Sequence, residues 1–376
     1  MSQDTQTKEK KKASGIKVFF IVLLVIAMII AIGIGVISFM VRPVDDKSDK
    51  AVPVGGMLTS QSVEYKDESS KGLENNLILK IMQIVWKSCD ASDKAVHEKQ
   101  TPPENIIAKK DIEYIADNNP YHRLDVFYPD IEIPKEGLPV VIDIHGGGWM
   151  YATKDLNEYY CKEIASKGYI VFSISYRLVP DVTVNEQIQD CANALKWISD
   201  NMKKYPANPN TVMLTGDSAG GQLSAYCTVL NQSAELRKIF GTCETNLNIK
   251  CLVLTSPVAY MKNGGLFSVY TKMLWGKDYK QKQTYAYMDI SEIIDYATDM
   301  PATYFITSSG DTLAHDQTVT AYNLFLEKGI EAELNDFGEY DGKKLPHVFS
   351  VLDPFAEPGQ NAINSALDFY QKALLR

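Results

Sequence analysis

The chain has 376 residues, 45% of them hydrophobic and 23% charged. That is enough for one large folded domain with extensions, and it excludes a disordered or low-complexity chain. A net charge of −9 excludes a general nucleic-acid-binding surface.

In chain order, residues 1–17 form a basic tail containing Lys8, Lys10, Lys11, Lys12 and Lys17. Val18 to Val41 then carries no charge. At about 1.5 Å of rise per residue, a helix of that length crosses a bilayer core with some tilt. A cleaved signal peptide is the competing reading. Its apolar core is shorter, and Ile37-Ser38-Phe39-Met40 is a poor cleavage site. Lysines ahead of the span hold the N-terminus in the cytoplasm and place everything after Arg42 on the far side. The spacing therefore predicts a single-pass anchor carrying an extracytoplasmic domain. Residues 42–75 are rich in Asp, Lys, Ser, Gly and Pro and read as a linker.

The folded domain is expected over residues 76–376. It opens on an N-terminal cap segment, 76–110, whose start, NLILKIMQIVWKSCD, is helix-like, apolar and too short to span a membrane. DIEYIAD and HRLDVFYPD are short β-rich runs separated by turn residues, a hairpin-like start. LPVVIDIHG is a buried strand ending in glycines. A helix is predicted from Asp155 to Lys167, with Gly168 as its stop. YIVFSISY is the next strand. Ile188, Ala192, Leu195 and Ile198 then mark a helix over Glu186 to Lys204. TVMLTG, CLVLTSP, ATYFITSS and EAELNDF read as strands. Helices are expected at Ala219–Leu230, Asp316–Lys328 and Asn361–Leu375. Such alternation predicts a mostly parallel sheet covered on both faces. Residues 258–300 break the rhythm with Phe267, Tyr270, Trp275, Tyr279, Tyr285 and Tyr287. An insertion there lies above the C-terminal edge of the sheet, where open α/β sheets bind ligands, and reads as a cap.

Six cysteines, Cys89, Cys161, Cys191, Cys227, Cys243 and Cys251, form no C-x-x-C pair. A zinc ribbon or a thioredoxin-like site is not indicated. An oxidising compartment would permit disulfides, and Cys243 with Cys251 is the first pair to test.

Two motifs carry chemistry. Gly216-Asp217-Ser218-Ala219-Gly220-Gly221 fits G-x-S-x-G between a predicted strand and a predicted helix. A nucleophile on so tight a turn needs small neighbours, and the turn aims a helix N-terminus at the reaction site. His145-Gly146-Gly147-Gly148-Trp149 follows the strand LPVVIDI. Glycines there let backbone N–H groups approach a substrate carbonyl. Gly147 and Gly148, with the N–H of Ala219, would form an oxyanion hole. No Lys-Ser/Thr follows the glycines, so a phosphate-binding P-loop is excluded. The sequence shows no metal-ligand cluster, and the chemistry requires no cofactor.

Five stretches in order, LDVFYPD, HGGGW, YRLVP from Tyr176, DCANALKW from Asp190 and GDSAGGQLSA, resemble the hormone-sensitive-lipase-like and acetyl-esterase branch of the α/β-hydrolase superfamily. The resemblance runs from Asp111 to the C-terminus. It implies the α/β-hydrolase fold, with a mostly parallel central sheet, helices on both faces and a helical cap, and it implies esterase activity. The family places an acid and then a histidine after the serine. Asp311, in Asp311-Thr312-Leu313 after the strand ATYFIT, matches the acid turn, with Thr in place of the usual Pro. Asp316 competes for that role but is expected to cap the next helix. His315 lies too close to Asp311, which leaves His347 as the base. His145 is then structural. The charged stretch GEYDGKKLP before His347 is longer than the family pattern. The implied reaction is hydrolysis of a short-acyl, small-molecule ester through an acyl-enzyme. Amide hydrolysis uses the same chemistry, and a deacetylase or feruloyl-type esterase on surface polysaccharide would suit an outward-facing enzyme. A non-catalytic binding domain on a hydrolase scaffold usually lacks a triad member, and here each is present.

Overall fold

The structure is a computed structural model that describes residues 77–262 and 271–375. The expected basic tail, membrane helix and linker lie outside the described residues, as do Phe267 and Tyr270 of the cap. Among the described residues no helix is long and apolar enough to cross a membrane.

The chain opens on helix α1 (Leu77–His97). Its Met82 and Trp86, four residues apart, pack on the core, while Ile81 and Val85 face outward. The strands are β1 (Ile106–Glu113), β2 (Arg123–Pro129), β3 (Leu138–Ile144), β4 (Ile170–Ile174), β5 (Ala207–Asp217), β6 (Ile249–Thr255), β7 (Ala302–Ser308) and β8 (Ala332–Phe337). They form one eight-stranded sheet in the order β1-β2-β4-β3-β5-β6-β7-β8. The β1–β2 and β2–β4 pairs are antiparallel and all later pairs are parallel. The hairpin-like start and the mostly parallel sheet are thus both present. β1 begins at Ile106, ahead of the expected start at Asp111, because it is an edge strand whose outward residues include Lys109 and Lys110.

Period-two alternation divides the core. Val140, Ile142 and Ile144 of β3 point to the face covered by α3 (Val184–Asn201) and α4 (Ser218–Gln232). Val141 points to the face covered by α2 (Glu158–Ser166) and, at the end of the chain, a helix over Glu357–Leu374. Thr183 and Glu186 close a capping box at the start of α3, so that helix begins two residues ahead of its expected start at Glu186. The last helix starts at Glu357 instead of Asn361, because Pro358 sits in the first turn, where its missing N–H costs nothing.

After α4 come α5 (Ala234–Phe240) and β6, then the segment 258–300, read from the sequence as a cap. Its described part contains α6 (Thr271–Trp275), α7 (Ile290–Ile293) and several short 3-10 turns. Trp275 and Met288 are buried there. The Tyr226 hydroxyl on α4 donates to the Tyr287 carbonyl at 2.6 Å, fastening this segment to α4. Beyond β7, α8 (His315–Glu327) leads to β8. The chain ends with α9 (Phe349–Leu352) and α10, the Glu357–Leu374 helix.

All six cysteines are free, which corrects the proposed Cys243–Cys251 pair. Cys251 is buried within β6, and the Cys243 thiol turns toward the Ala192 carbonyl on α3.

Candidate active site

The order in which strands are added reverses between β3 and β5: β3 connects to β4 on one side, and β5 lies on the other. A crevice opens at such a point beyond the strand ends. The two motifs flank it, HGGGW leaving β3 and GDSAGG leaving β5.

Ser218 is the first residue of α4 and has φ +50°, the left-handed conformation that a non-glycine residue rarely adopts. The turn closes only because Gly216 and Gly220, two residues to either side, lack side chains. A Cβ on Gly220 would collide with the carbonyl oxygens of Ile144 and His145. Ser218 is 8% exposed.

The glycines of HGGGW are equally constrained. Gly147 and Gly148 have φ +107° and +55°. A Cβ on Gly148 would run into the indole ring of Trp86, so α1 lies directly over this loop. Trp86 stacks on Tyr151 at 5.2 Å, and the Tyr151 hydroxyl donates to Asp93 at 3.1 Å. Burial raises the Asp93 carboxyl to about 6. His145 is fully buried and stacked on Tyr176 at 4.3 Å, with Nδ1 2.7 Å from the Gly146 carbonyl. Burial lowers it to about 4, which keeps it neutral and fits the structural role expected of it.

Asp311 and His347 meet. His347 Nδ1 lies 2.9 Å from Asp311 Oδ2. The other carboxylate oxygen accepts from the backbone N–H groups of Leu313 and Ala314, both at 2.9 Å. Burial opposes ionisation of Asp311, but the hydrogen bond and charge of His347 win and hold it at about 2. The charge of His347 also reaches Asp217, the residue before Ser218. The three residues singled out from the sequence therefore converge on one end of the sheet.

The competing residues are elsewhere. Asp316 is solvated in the first turn of α8, whose N-cap is Ala314, so it is not the cap residue. His315 pairs with Asp316 and Asp336 at 3.1 and 3.0 Å. The long stretch before His347 folds into a hairpin, Glu339–Tyr340 against Lys343–Lys344. Asp341 and Gly342 take its two left-handed turn positions, at φ +50° and +69°. The Ser308 hydroxyl donates to the Leu345 carbonyl at 2.7 Å, which presses the histidine loop onto the acid turn. Trp86, Asp93 and Tyr151 were not singled out from the sequence. Their contacts link segments far apart in the chain, and no local pattern signals them.

A family model described as BD-FAE matches residues 124–319, more than half of the chain. The chain belongs to the BD-FAE family. Its neighbours place it among the hormone-sensitive-lipase-like esterases of the α/β-hydrolase superfamily. Esterase B from Lactobacillus rhamnosis superposes with a TM-score of 0.74 at 28% identity, over 79% of this chain and 95% of that one. The same enzyme inhibited by a tributyrin phosphonate gives 0.74 at 29% identity, over 79% and 95%. Isoprenylcysteine alpha-carbonyl methylesterase ICME of Arabidopsis thaliana is 25% identical over 248 residues, 63% of this chain and 56% of that protein. Carboxylesterase NlhH of Mycobacterium tuberculosis (strain ATCC 25618 / H37Rv) is 29% identical over 162 residues, 41% and 50% respectively. The chain spans about half the length of these curated relatives.

Proposed function

We propose that this chain is a serine carboxylic-ester hydrolase acting on short-acyl esters. The observation that carries the reading is the 2.9 Å His347–Asp311 pair at the same sheet end as a left-handed serine heading a helix. Ser218 attacks the ester carbonyl as His347 takes its proton. Asp311 fixes the imidazole tautomer and balances the imidazolium. The N–H groups of Gly147, Gly148 and Ala219 hold the oxyanion, where the α4 N-terminus adds its dipole. His347 then protonates the leaving alcohol, and water releases the acid. Short acyl chains fit an oxyanion loop roofed by Trp86. Inhibition of the similar esterase B by a tributyrin phosphonate supports the same size class.

Hydrolysis of p-nitrophenyl esters from acetate to palmitate tests this, with Ser218→Ala alongside. Turnover of acetate or butyrate that disappears in the variant supports the reading. Equal inactivity of both proteins on every ester refutes it.

The uncharged run Val18–Val41 and the lysines before it support a single-pass anchor with the catalytic domain extracytoplasmic. Resistance to alkaline extraction, together with protease cleavage of the domain in intact cells, is the expected result. Release by alkali would remove the anchor.

A further inference from the structure

Two buried carboxylates lie beneath the catalytic loops, and the mechanism above assigns them no role. Asp143 sits on β3, two residues before His145, and Asp217 closes β5 just before Ser218. They are 1% and 3% exposed. The side-chain amide of Asn157, itself fully buried ahead of α2, donates to both oxygens of Asp143 at 3.3 and 3.1 Å. It also donates to Asp217 Oδ1 at 2.9 Å. Asp143 Oδ2 accepts further from the Ser173 hydroxyl at 3.2 Å and the Cys161 thiol at 3.6 Å. Asp217 Oδ1 accepts the N–H of Gly146, the first glycine of the oxyanion loop, at 3.0 Å. One carboxylate thus ties the nucleophile turn to the oxyanion loop, and one amide ties it to a second carboxylate.

All these donors are neutral. The titratable groups facing Asp143 are Asp217 on β5, Tyr160 and Cys161 on α2, and Tyr176 after β4; Tyr160 faces Asp217 as well. Asp125 on β2 faces Cys161. Lys154 is occupied by Asp111, Asp125 and Asp155. His145, two residues along, is held neutral by burial. Asp217 is faced by Asp143, by Asp93 from α1, by Tyr151 and Tyr176, and by His347. Two anions sharing one amide in a dry site, without a cation on Asp143, are costly to keep ionised together.

We propose that Asp143 holds a proton in the working enzyme, so that Asp217 remains the single anion anchoring Gly146 and the oxyanion loop, which makes Asp143 a positioning residue. Burial first, and the charge of Asp217 second, raise Asp143 to about 7. When Asp143 loses its proton to solvent, a second negative charge faces Asp217 across the Asn157 amide. The pair repels, the Gly146 tether loosens, and the oxyanion donors leave their alignment. The cost falls on the transition state, so kcat drops while KM stays nearly constant.

This rests on the ester-hydrolase reading, and the test separates the two. The kcat of the full chain on p-nitrophenyl butyrate is measured from about pH 5 to about pH 9, with circular dichroism confirming the fold at each pH. The expected wild-type profile falls at least about fivefold on the alkaline side, with a midpoint near 7. Asp143→Asn keeps the neutral shape and is expected to retain kcat within about threefold at the acid end and to lose the alkaline fall. A wild-type kcat that holds to the alkaline end overturns the proposal, as does an equal fall in the variant. Infrared spectroscopy supplies a readout that needs no substrate and no foldable Asp143 variant. Asp181, buried after β4 and also raised to about 7, has to be removed along with Asp93. A protonated-carboxyl C=O band should then be present in the folded Asp93→Asn, Asp181→Asn protein at the acid end and disappear at the alkaline end. Its absence at the acid end overturns the proposal, whatever the protein does to esters.

Discussion

Asp311 and Asp143 both sit at the C-terminal end of the parallel sheet, and both side chains are shut off from solvent. Their neighbours differ. Asp311 faces His347 and two backbone N–H groups and is held at about 2. Asp143 faces an amide, a hydroxyl, a thiol and another carboxylate, and is raised to about 7. Burial penalises the charged form at both sites, so burial does not decide the outcome. A partner able to carry positive charge does. In the proposed enzyme, the first environment supplies an anion to the reaction and the second withholds one from it.

The sharpest way to break this contrast is Asp311→Asn. It removes the charge and favours the wrong imidazole tautomer, and a loss of about 10⁴-fold in kcat with little change in KM is expected, as in other serine hydrolases with this triad. Steady-state kinetics on p-nitrophenyl butyrate check it. A loss below tenfold would mean that Asp311 is not the orienting acid.

Stability against pH distinguishes the two carboxylates by sign. Asp143 has a folded value above its unfolded one, so its contribution is fully present below about pH 4 and is lost as pH rises toward about 7. A shift that large amounts to a few kcal/mol, shared with Asp217. Urea midpoints should therefore fall from acid to neutral pH in wild type, and the slope should flatten in Asp143→Asn. Asp311 runs the other way. Its folded value is depressed, so its contribution is present above about pH 4 and lost as pH falls toward about 2. It is worth roughly 2 kcal/mol. Asp311→Asn should lose that part of the acid sensitivity. Parallel urea curves for both variants across the whole range would erase the distinction.

Much of this was legible in the sequence, because the signals are local. The runs LPVVIDI, TVMLT and ATYFIT read as strands and are strands, and G-D-S-A-G-G and H-G-G-G-W lie where small residues are sterically required. Element ends were less legible. β1 has an exposed middle without clear alternation, and Pro358-Gly359 looks like a helix breaker until it is placed in a first turn. The Asp341-Gly342 hairpin went unread because its strands are two residues long. What the sequence could not reveal is pairing at long range. Asp143 in an apolar strand is simply a buried polar residue until Asn157 and Asp217 are found beside it. Trp86 looks like core until it is found over Gly148. Cys243 and Cys251 are close in sequence, yet one lies in a loop and the other inside the sheet.

Asp93 lies between the two cases and gives the smallest effect. Burial raises it to about 6, its hydrogen bond from Tyr151 opposes that, and it feels both Asp217 and His347. At neutral pH it is mostly ionised. Asp93→Asn removes that charge without touching Ser218 or Asp311. Through an intermediate dielectric the interaction is weak, so kcat/KM at neutral pH should change by no more than about twofold, with kcat nearly unchanged. Tyr151→Phe removes only the neutral donor to the same carboxylate and should leave kcat/KM nearly unchanged. A loss of tenfold or more in Asp93→Asn would show that Asp93 acts through geometry, by holding α1 and Trp86 over Gly148, and not through charge.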